Sequence, residues 1–424
     1  MSSHLVEEDK KYVWHPFTQH QTSGDPLPIV KAKDTLLYDA EGKAYIDANS
    51  CWWVNIHGHG NEYIRKAIYD QYAEIDHVIF ANVTHQKGVE VAKRVIHYLG
   101  EPFQKVFFSD NGSTAVEVAL KMAMQFWYNK GESKPKIIAI DGAYHGDTFG
   151  AMAVGDRGGF NTPFEPYLFH VDFLDFPSAG KEDIVLDQLE KLLEKGDVAA
   201  FIFEPLVLGS GGMKMYSADF LDKALSLCKK YEALTIADEI MTGWGRTGKL
   251  FAIEYISERP DLVCLSKGVT GGVLPLGLTV ATQEIFELFL GDSMASAMLH
   301  GHSFTGNSLI CAAACANFDL IDRPAFFDNI TRIVNAHSRF AEQLKIHPKV
   351  KNVRRLGTIF AFDVVQETEG YFSSLREKII SFYKENGILL RPLGNTIFFN
   401  APFCITNEEL QQLYDVTARF LEEV

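Results

Sequence analysis

The chain has 424 residues, 47% of them hydrophobic and 22% charged, with a formal net charge of −15. A length beyond about 250–300 residues predicts more than one domain, and the acidic balance excludes the basic face that a nucleic-acid partner needs. No apolar run reaches the length of a membrane helix, and the charged start "MSSHLVEEDKKYVW" is unlike an export signal.

The six cysteines form no CxxC pair. They predict buried thiols in a reducing cytoplasm, with neither a disulfide frame nor a metal centre. Cys311 and Cys315 lie one helical turn apart in the small-residue run "LICAAACAN", which reads as tight helix packing.

From the N-terminus, "TLLYDAEGKAYID" (35–47) reads as a hairpin turning at Glu41-Gly42. We expect residues 1–55 to pack with the C-terminal part of the chain. Residues 56–325 alternate short apolar runs with helical patterns, the mark of an α/β domain with a mainly parallel sheet. The runs are "KVFFSD" (105–110), "KIIAIDG" (136–142), "AAFIFEP" (199–205), "ALTIADE" (233–239) and "LVCLSKG" (262–268). Their hydrophobicity is continuous, so both faces of the sheet are expected to be buried.

Each run also ends in polar groups: Ser109-Asp110, Asp141, Glu204, Asp238-Glu239 and Ser266-Lys267. Ligands of open α/β sheets sit beyond the carboxyl ends of the strands. Five such ends would converge on one site. After "IDRP" (321–324) a helical pattern runs to about residue 345, followed by "TIFAFDVV", "GILLRPLGNTIFFNAP" and a last helix opened by a Thr406–Glu409 capping box. Residues 326–424 thus predict a smaller α+β domain.

Four places carry chemistry. In "SDNGSTAVEVALK", Gly112 and Ser113 open a long helical pattern, and a helix N-terminus offers free N–H groups to a phosphate. An ordinary serine cap is the plainer alternative. Tyr144 and His145 follow a strand end between two glycines, where an aromatic could stack on a planar cofactor or simply fill a core. Asp238 ends a strongly apolar strand, where a carboxylate needs a cation or strong donors. A protonated ring nitrogen or Arg246 would serve. Lys267, alone among glycines at a strand mouth, is either a surface lysine or a nucleophile for an aldehyde. A phosphate cup, a stacking aromatic, a carboxylate for a ring nitrogen and a lysine for an aldehyde are together what pyridoxal 5′-phosphate requires.

The motifs "NGSTAVEVALK", "AYHGDT", "EPLVLGSGGM", "ADEIMTGWGRTGKLFA", "LSKGVTGG" and "FTGNSLICAAA" resemble, in order and spacing, those of class III aminotransferases over nearly the whole chain. The resemblance implies a fold-type I enzyme dependent on pyridoxal phosphate. In it Lys267 would hold the cofactor's aldehyde, Asp238 the ring nitrogen and Tyr144 the ring face, with Gly112 and Ser113 on the phosphate. It also implies a homodimer, Ser303 in "HGHSFTGN" completing the neighbour's phosphate site.

"WHPFTQ", "SCWWVNIHGHGN" and "RPLGNTIFF" are similar to the members that aminate 8-amino-7-oxononanoate to 7,8-diaminononanoate in biotin synthesis, with S-adenosylmethionine as donor. Trp52 and Trp53, with Trp14 and Phe17, would wall an apolar substrate chain. Arg391 would clamp its carboxylate through a planar fork. Two positions depart from that pattern. His302-Ser303 replaces Pro-Thr, keeping the hydroxyl, and Phe17 replaces a tyrosine, which leaves lysine as an alternative donor. Other ω-aminotransferases, acting on ornithine, 4-aminobutyrate or a β-amino acid, are the rival readings, followed by an aminomutase or racemase and a non-catalytic protein of this fold.

Overall fold

The computed structural model describes residues 2–365 and 375–424. After an opening helix, Ser2–Tyr12, come three antiparallel strands: β1 (Ile29–Lys33), β2 (Leu36–Asp39) and β3 (Ala44–Asp47). The expected hairpin joins β2 to β3, and Asp39 closes it. Its Oδ1 accepts the N–H groups of Glu41 and Lys43 at 3.0 and 2.9 Å.

The large sheet contains β4 (Phe103–Ser109), β5 (Lys136–Ile140), β6 (Asp172–Leu174) and β7 (Val198–Phe203). A small hairpin, β8 (Val207–Leu208) and β9 (Lys214–Met215), precedes β10 (Leu234–Asp238), β11 (Leu262–Leu265) and β12 (Gly277–Thr282). The spatial order is β4-β12-β11-β10-β7-β5-β6. From β11 to β6 all pairings are parallel. β12 runs antiparallel to both of its neighbours, β11 and β4. The five expected runs therefore still point one way, and their carboxyl ends share one edge. Every residue of β7 and β10 is buried, as strands covered on both faces must be.

The chain closes with β13 (Val350–Leu356), β14 (Ile359–Val364), β15 (Ile388–Leu389) and β16 (Thr396–Phe399). β13, β14 and β16 form an antiparallel sheet, while β15 leaves it to pair parallel with β3. The helix Pro324–Leu344 matches the pattern expected to about residue 345. The last helix, Asn407–Glu423, opens with the expected capping box, Thr406 Oγ1 accepting from Glu409 N at 3.1 Å. Cys311 and Cys315 are buried on the helix Ser308–Ile321, which packs against the helix Glu62–Glu74.

Arg246 ties three parts of the chain together. It is fully buried, and its guanidinium donates to the carbonyls of Asn55, Asn400 and Ala401 at 2.8, 3.3 and 2.9 Å. Burial lowers its pKa to about 9. Hydrogen bonds from a charged donor contribute about 1.5–3 kcal/mol each, which offsets its desolvation. Its hydrogen bonds go to carbonyls, so the alternative partnership with Asp238 is not the one adopted.

Candidate active site

Lys267 leaves β11 in the left-handed region, at φ 47°. A non-glycine residue there costs on the order of 1–3 kcal/mol and persists only where its surroundings over-determine it. They do so here. Ser266 Oγ donates to Leu276 O at 2.6 Å, and Asn317 Nδ2 donates to the carbonyls of Gly268 and Val269 at 3.0 and 2.9 Å. The flanking glycines have a steric cause. A Cβ on Gly268 would lie 2.9 Å from Trp244 Cβ, and one on Gly272 would lie 2.6 Å from the backbone of Val54. The lysine is half-buried, its amine 4.9 Å above the Trp53 ring, with no hydrogen bond or ion pair among the described residues. Burial lowers its pKa from the ordinary lysine value, against the pull of Asp238 and Glu204.

Asp238, at the end of β10, is 4% exposed. Its Oδ2 lies 2.7 Å from His145 Nδ1, and its Oδ1 accepts Ile240 N–H at 3.1 Å. His145 Nε2 is buried and has no hydrogen-bond partner among the described residues. Sequence reasoning placed His145 next to Tyr144 without a role; its pairing with a strand end 93 residues away has no local signal.

The helix Gly112–Lys130 starts where β4 ends. Asn111 caps it, its Oδ1 accepting Thr114 N–H at 3.0 Å, which leaves the N–H groups of Gly112 and Ser113 without a protein acceptor among the described residues. Ser113 Oγ accepts Asp147 N–H at 3.2 Å. The Asp147 loop comes this close because residue 146 is glycine at φ 132°; a Cβ there would lie 2.1 Å from Ser113 Oγ. Tyr144 is 36% exposed, with the Asp147 carboxylate beside its hydroxyl raising its pKa together with burial, the larger cause. Asp147 is a residue the motif reading did not single out.

Trp52 and Trp53 sit on a turn in which Ser50, Cys51, Trp52 and Trp53 all have positive φ, between 45° and 74°. Asp47 Oδ1 accepts Cys51 N–H at 2.9 Å and Ser50 Oγ donates to Asn400 O at 2.6 Å, pinning the start of the turn. Asp47, Cys51 and His59 bring three potential ligand atoms within 4.8 Å of one another. The Asn55 amide, however, faces His59 Nδ1 at 3.3 Å, placing the ring proton on Nε2 toward Asp47 Oδ2 at 3.1 Å. The group reads as a hydrogen-bonded brace for the turn.

Trp53 is 6% exposed beneath Lys267, whereas Trp52 is 44% exposed. Phe17 meets Trp52 edge-on at 5.3 Å and Phe160 at 6.1 Å, and the Arg391 guanidinium lies 5.0 Å over the Trp52 ring. Trp14 does not join them. It is 92% exposed, with no ring contact among the described residues. Ser303 is exposed, and its hydroxyl has no hydrogen bond to Gly112 or Ser113 of its own chain among the described residues. His302 shapes its loop: its Nδ1 accepts Phe304 N–H at 3.2 Å, and its own N–H donates to Thr305 Oγ1 at 3.1 Å.

This edge fits pyridoxal phosphate on its own geometry. A free amine, an anchored carboxylate, an exposed aromatic and two open helix N–H groups stand along one edge of the large sheet.

The family model for class-III aminotransferases matches residues 18–421. A protein of Synechococcus elongatus named adenosylmethionine-8-amino-7-oxononanoate aminotransferase is 45% identical over 97% of this chain and 99% of its own. One of the same name from Geobacter sulfurreducens is 37% identical over 97% and 96%. The crystal structure of the Methanocaldococcus jannaschii protein of that name has a TM-score of 0.95 at 33% identity, covering 100% of this chain and 99% of its own. An ω-transaminase of Pseudomonas jessenii in complex with PMP has a TM-score of 0.91 at 27% identity, over 99% and 98%.

Proposed function

The chain belongs to the class-III aminotransferases, pyridoxal-phosphate-dependent enzymes, and on that footing we propose that it transfers an amino group from S-adenosylmethionine to 8-amino-7-oxononanoate. The product is 7,8-diaminononanoate, a step of biotin synthesis. The names of the full-length relatives support this substrate pair. The observation that carries the reading is Arg391 over Trp52, beside Lys267 over Trp53: a carboxylate clamp and an amine along one aromatic wall.

When bound, the cofactor supplies an aldehyde that accepts the amino group and a ring that takes up electrons from the adjacent carbon. The chain's own groups do the rest. Gly112 and Ser113 N–H groups receive the phosphate at the helix terminus. Asp238, oriented by His145 and Ile240 N–H, would face the ring nitrogen and hold its proton. Lys267 takes the proton from the donor's carbon and later returns one to the acceptor's carbon. Its lowered pKa leaves more of it as free amine near neutrality. Trp52, Trp53 and Phe17 line the path of an apolar chain, and Arg391 takes its carboxylate.

In the same reading the enzyme is a cytoplasmic homodimer, Ser303 of each copy reaching the other's phosphate; its hydroxyl, exposed and without a hydrogen bond among the described residues, supports that role. No helix among the described residues is long and apolar enough to cross a membrane. The division into residues 1–55, 56–325 and 326–424 is part of this reading, the outer two joined by the β3–β15 pairing.

Phe17 favours one second reading, lysine as donor. Its ring packs on Trp52 and Phe160 and offers no hydroxyl. The deciding experiment mixes the purified enzyme with each donor alone and follows loss of the cofactor's visible absorbance, then adds 8-amino-7-oxononanoate and assays the diamine. Conversion by adenosylmethionine is expected. Conversion by lysine alone would replace the donor and leave the acceptor standing, and no diamine with either would overturn the substrate assignment.

A further inference from the structure

Glu204 directly follows β7, level with Asp238 at the end of β10, because Ala237 lies opposite Phe203. It is 4% exposed. Its two carboxylate oxygens serve two different loops. Oε1 accepts Tyr144 N–H at 2.9 Å, and Oε2 accepts Gly209 N–H at 2.9 Å. Gly209, between β8 and β9, is pressed from three sides: a Cβ on it would lie 3.1 Å from the Trp53 ring, 3.1 Å from the Met241 methyl and 3.3 Å from Glu204 Oε2. One carboxylate thus holds the backbone of the exposed aromatic at the phosphate helix and the backbone that supports Trp53 under Lys267.

We propose that Glu204 is a positioning residue that clamps the Tyr144 loop and the Gly209 turn into one unit, so that the cofactor-facing and substrate-facing walls hold a fixed spacing. The inference rests on Tyr144 as the stacking ring and Trp53 as part of the substrate wall. Both Glu204 oxygens are taken up by backbone N–H groups, so it acts through the loops it holds.

The clamp is sensitive to pH. Facing Glu204 are Tyr144 and His145 from the loop after β5, Asp238 from β10, Lys267 after β11, and Tyr216, whose hydroxyl donates to the Glu204 carbonyl at 2.6 Å. Burial, reinforced by the Asp238 charge and opposed by His145 and the two N–H groups, pushes the carboxyl up to about 7. Above that pH both oxygens accept strongly. Below it one carries a proton and becomes a poorer acceptor, so the clamp loosens as pH falls through 7.

The test is amide hydrogen exchange, read on peptides containing residues 144 and 209, in the cofactor-free and the loaded protein at pH 8 and pH 6. In Glu204→Gln one acceptor becomes an NH2 group facing an N–H, so at least one of the two amides should exchange about tenfold faster than wild type at pH 8. The gap should narrow at pH 6, while β4 and β11 peptides stay unchanged. Glu204→Asp, one methylene shorter, should fail to hold both. The acceptor KM should rise together with weaker cofactor retention.

Unchanged protection at both amides would overturn the clamp, as would faster exchange spread evenly over the sheet. Should the variants not fold, the wild-type protein decides. Protection at 144 and 209, corrected for intrinsic exchange, must fall between pH 8 and pH 6 more than at Ala237, or the proposal fails. Retained turnover in Lys267→Ala would break the reading of the site itself and leave these exchange results untouched.

Discussion

The edge of the large sheet and the aromatic wall in front of it meet in one site but are built by different means. Asp238, Glu204 and His145 are 2–4% exposed, sit at or just after strand ends, and bond to one another's loops at 2.7–2.9 Å. Phe17 and Trp52 are 46% and 44% exposed, stand on positive-φ turns, and touch through ring edges and a cation over a face. The first arrangement tolerates little movement, since each buried polar atom displaced loses its partner. The second can repack around different ligands. Chemistry on strand ends and selectivity on loops is the division expected of a fold that serves many substrates.

Substitutions at the edge should therefore abolish the reaction, and those at the wall should retune it. Lys267→Ala is the severest: turnover should fall at least about 10³-fold, the loss of nucleophile and proton carrier together. The cofactor's bound absorbance should vanish while circular dichroism stays native. Substantial residual turnover would remove the lysine from the centre of the edge. Asp238→Asn comes next. An amide can still bond Ile240 N–H and His145 but carries no charge to face a cation, and truncating a buried charge interaction costs about 2–5 kcal/mol. The kcat should drop by about 30-fold or more, with little change in acceptor KM.

At the wall the effects shrink. Arg391 is exposed in the chain, so Arg391→Ala forfeits a charged hydrogen bond worth about 1.5–3 kcal/mol rather than a buried pair. Acceptor KM should rise about 10- to 150-fold with the cofactor spectrum unmoved. An unchanged KM would move the clamp elsewhere. Smallest is Phe17→Tyr, which adds one hydroxyl beside Trp52 and should improve adenosylmethionine over lysine by a factor of about 2–10. No change in the donor ratio would detach Phe17 from donor choice, and a large loss of kcat would mean the wall is as rigid as the edge.

The same division explains what could be read from the residues alone. Continuous apolar runs with polar ends announce the strands and their shared edge, because burial on both faces leaves a local mark in "AAFIFEP" and "ALTIADE". The Thr406–Glu409 box and the Glu41-Gly42 turn are equally local. β12 leaves no such mark. "GLTVAT" is as long as β7 but opens on a glycine and breaks its apolar residues with threonines, and its Thr279 is tolerable in the core because Oγ1 donates at 2.8 Å to the carbonyl of Ala115, on the helix covering the sheet. β6 has three residues, too few for any pattern. The pairing of His145 with Asp238 and the span of Glu204 between Tyr144 and Gly209 arise from sheet order, which no window of sequence contains. Trp14 shows the converse. Its place in an aromatic motif suggested a wall residue, yet in this chain it faces solvent.

The parallel pairing of β15 with β3 has a consequence for the order in which the molecule is made. Arg391 N–H donates to Asn49 Oδ1 across 342 positions, just beyond the register that sets Leu389 opposite Asp47. The thermodynamic penalty for closing so long a loop grows only with the logarithm of its length. The kinetic one is different, because chains emerge from the ribosome amino end first, at about 5–20 residues per second. The hairpin β2–β3 and the Trp52–Trp53 turn, which leans on the Asn400 carbonyl, must wait without their partners while the whole large sheet is synthesised. The Trp52–Trp53 turn is thus translated before the large sheet it faces and finds its place only after it.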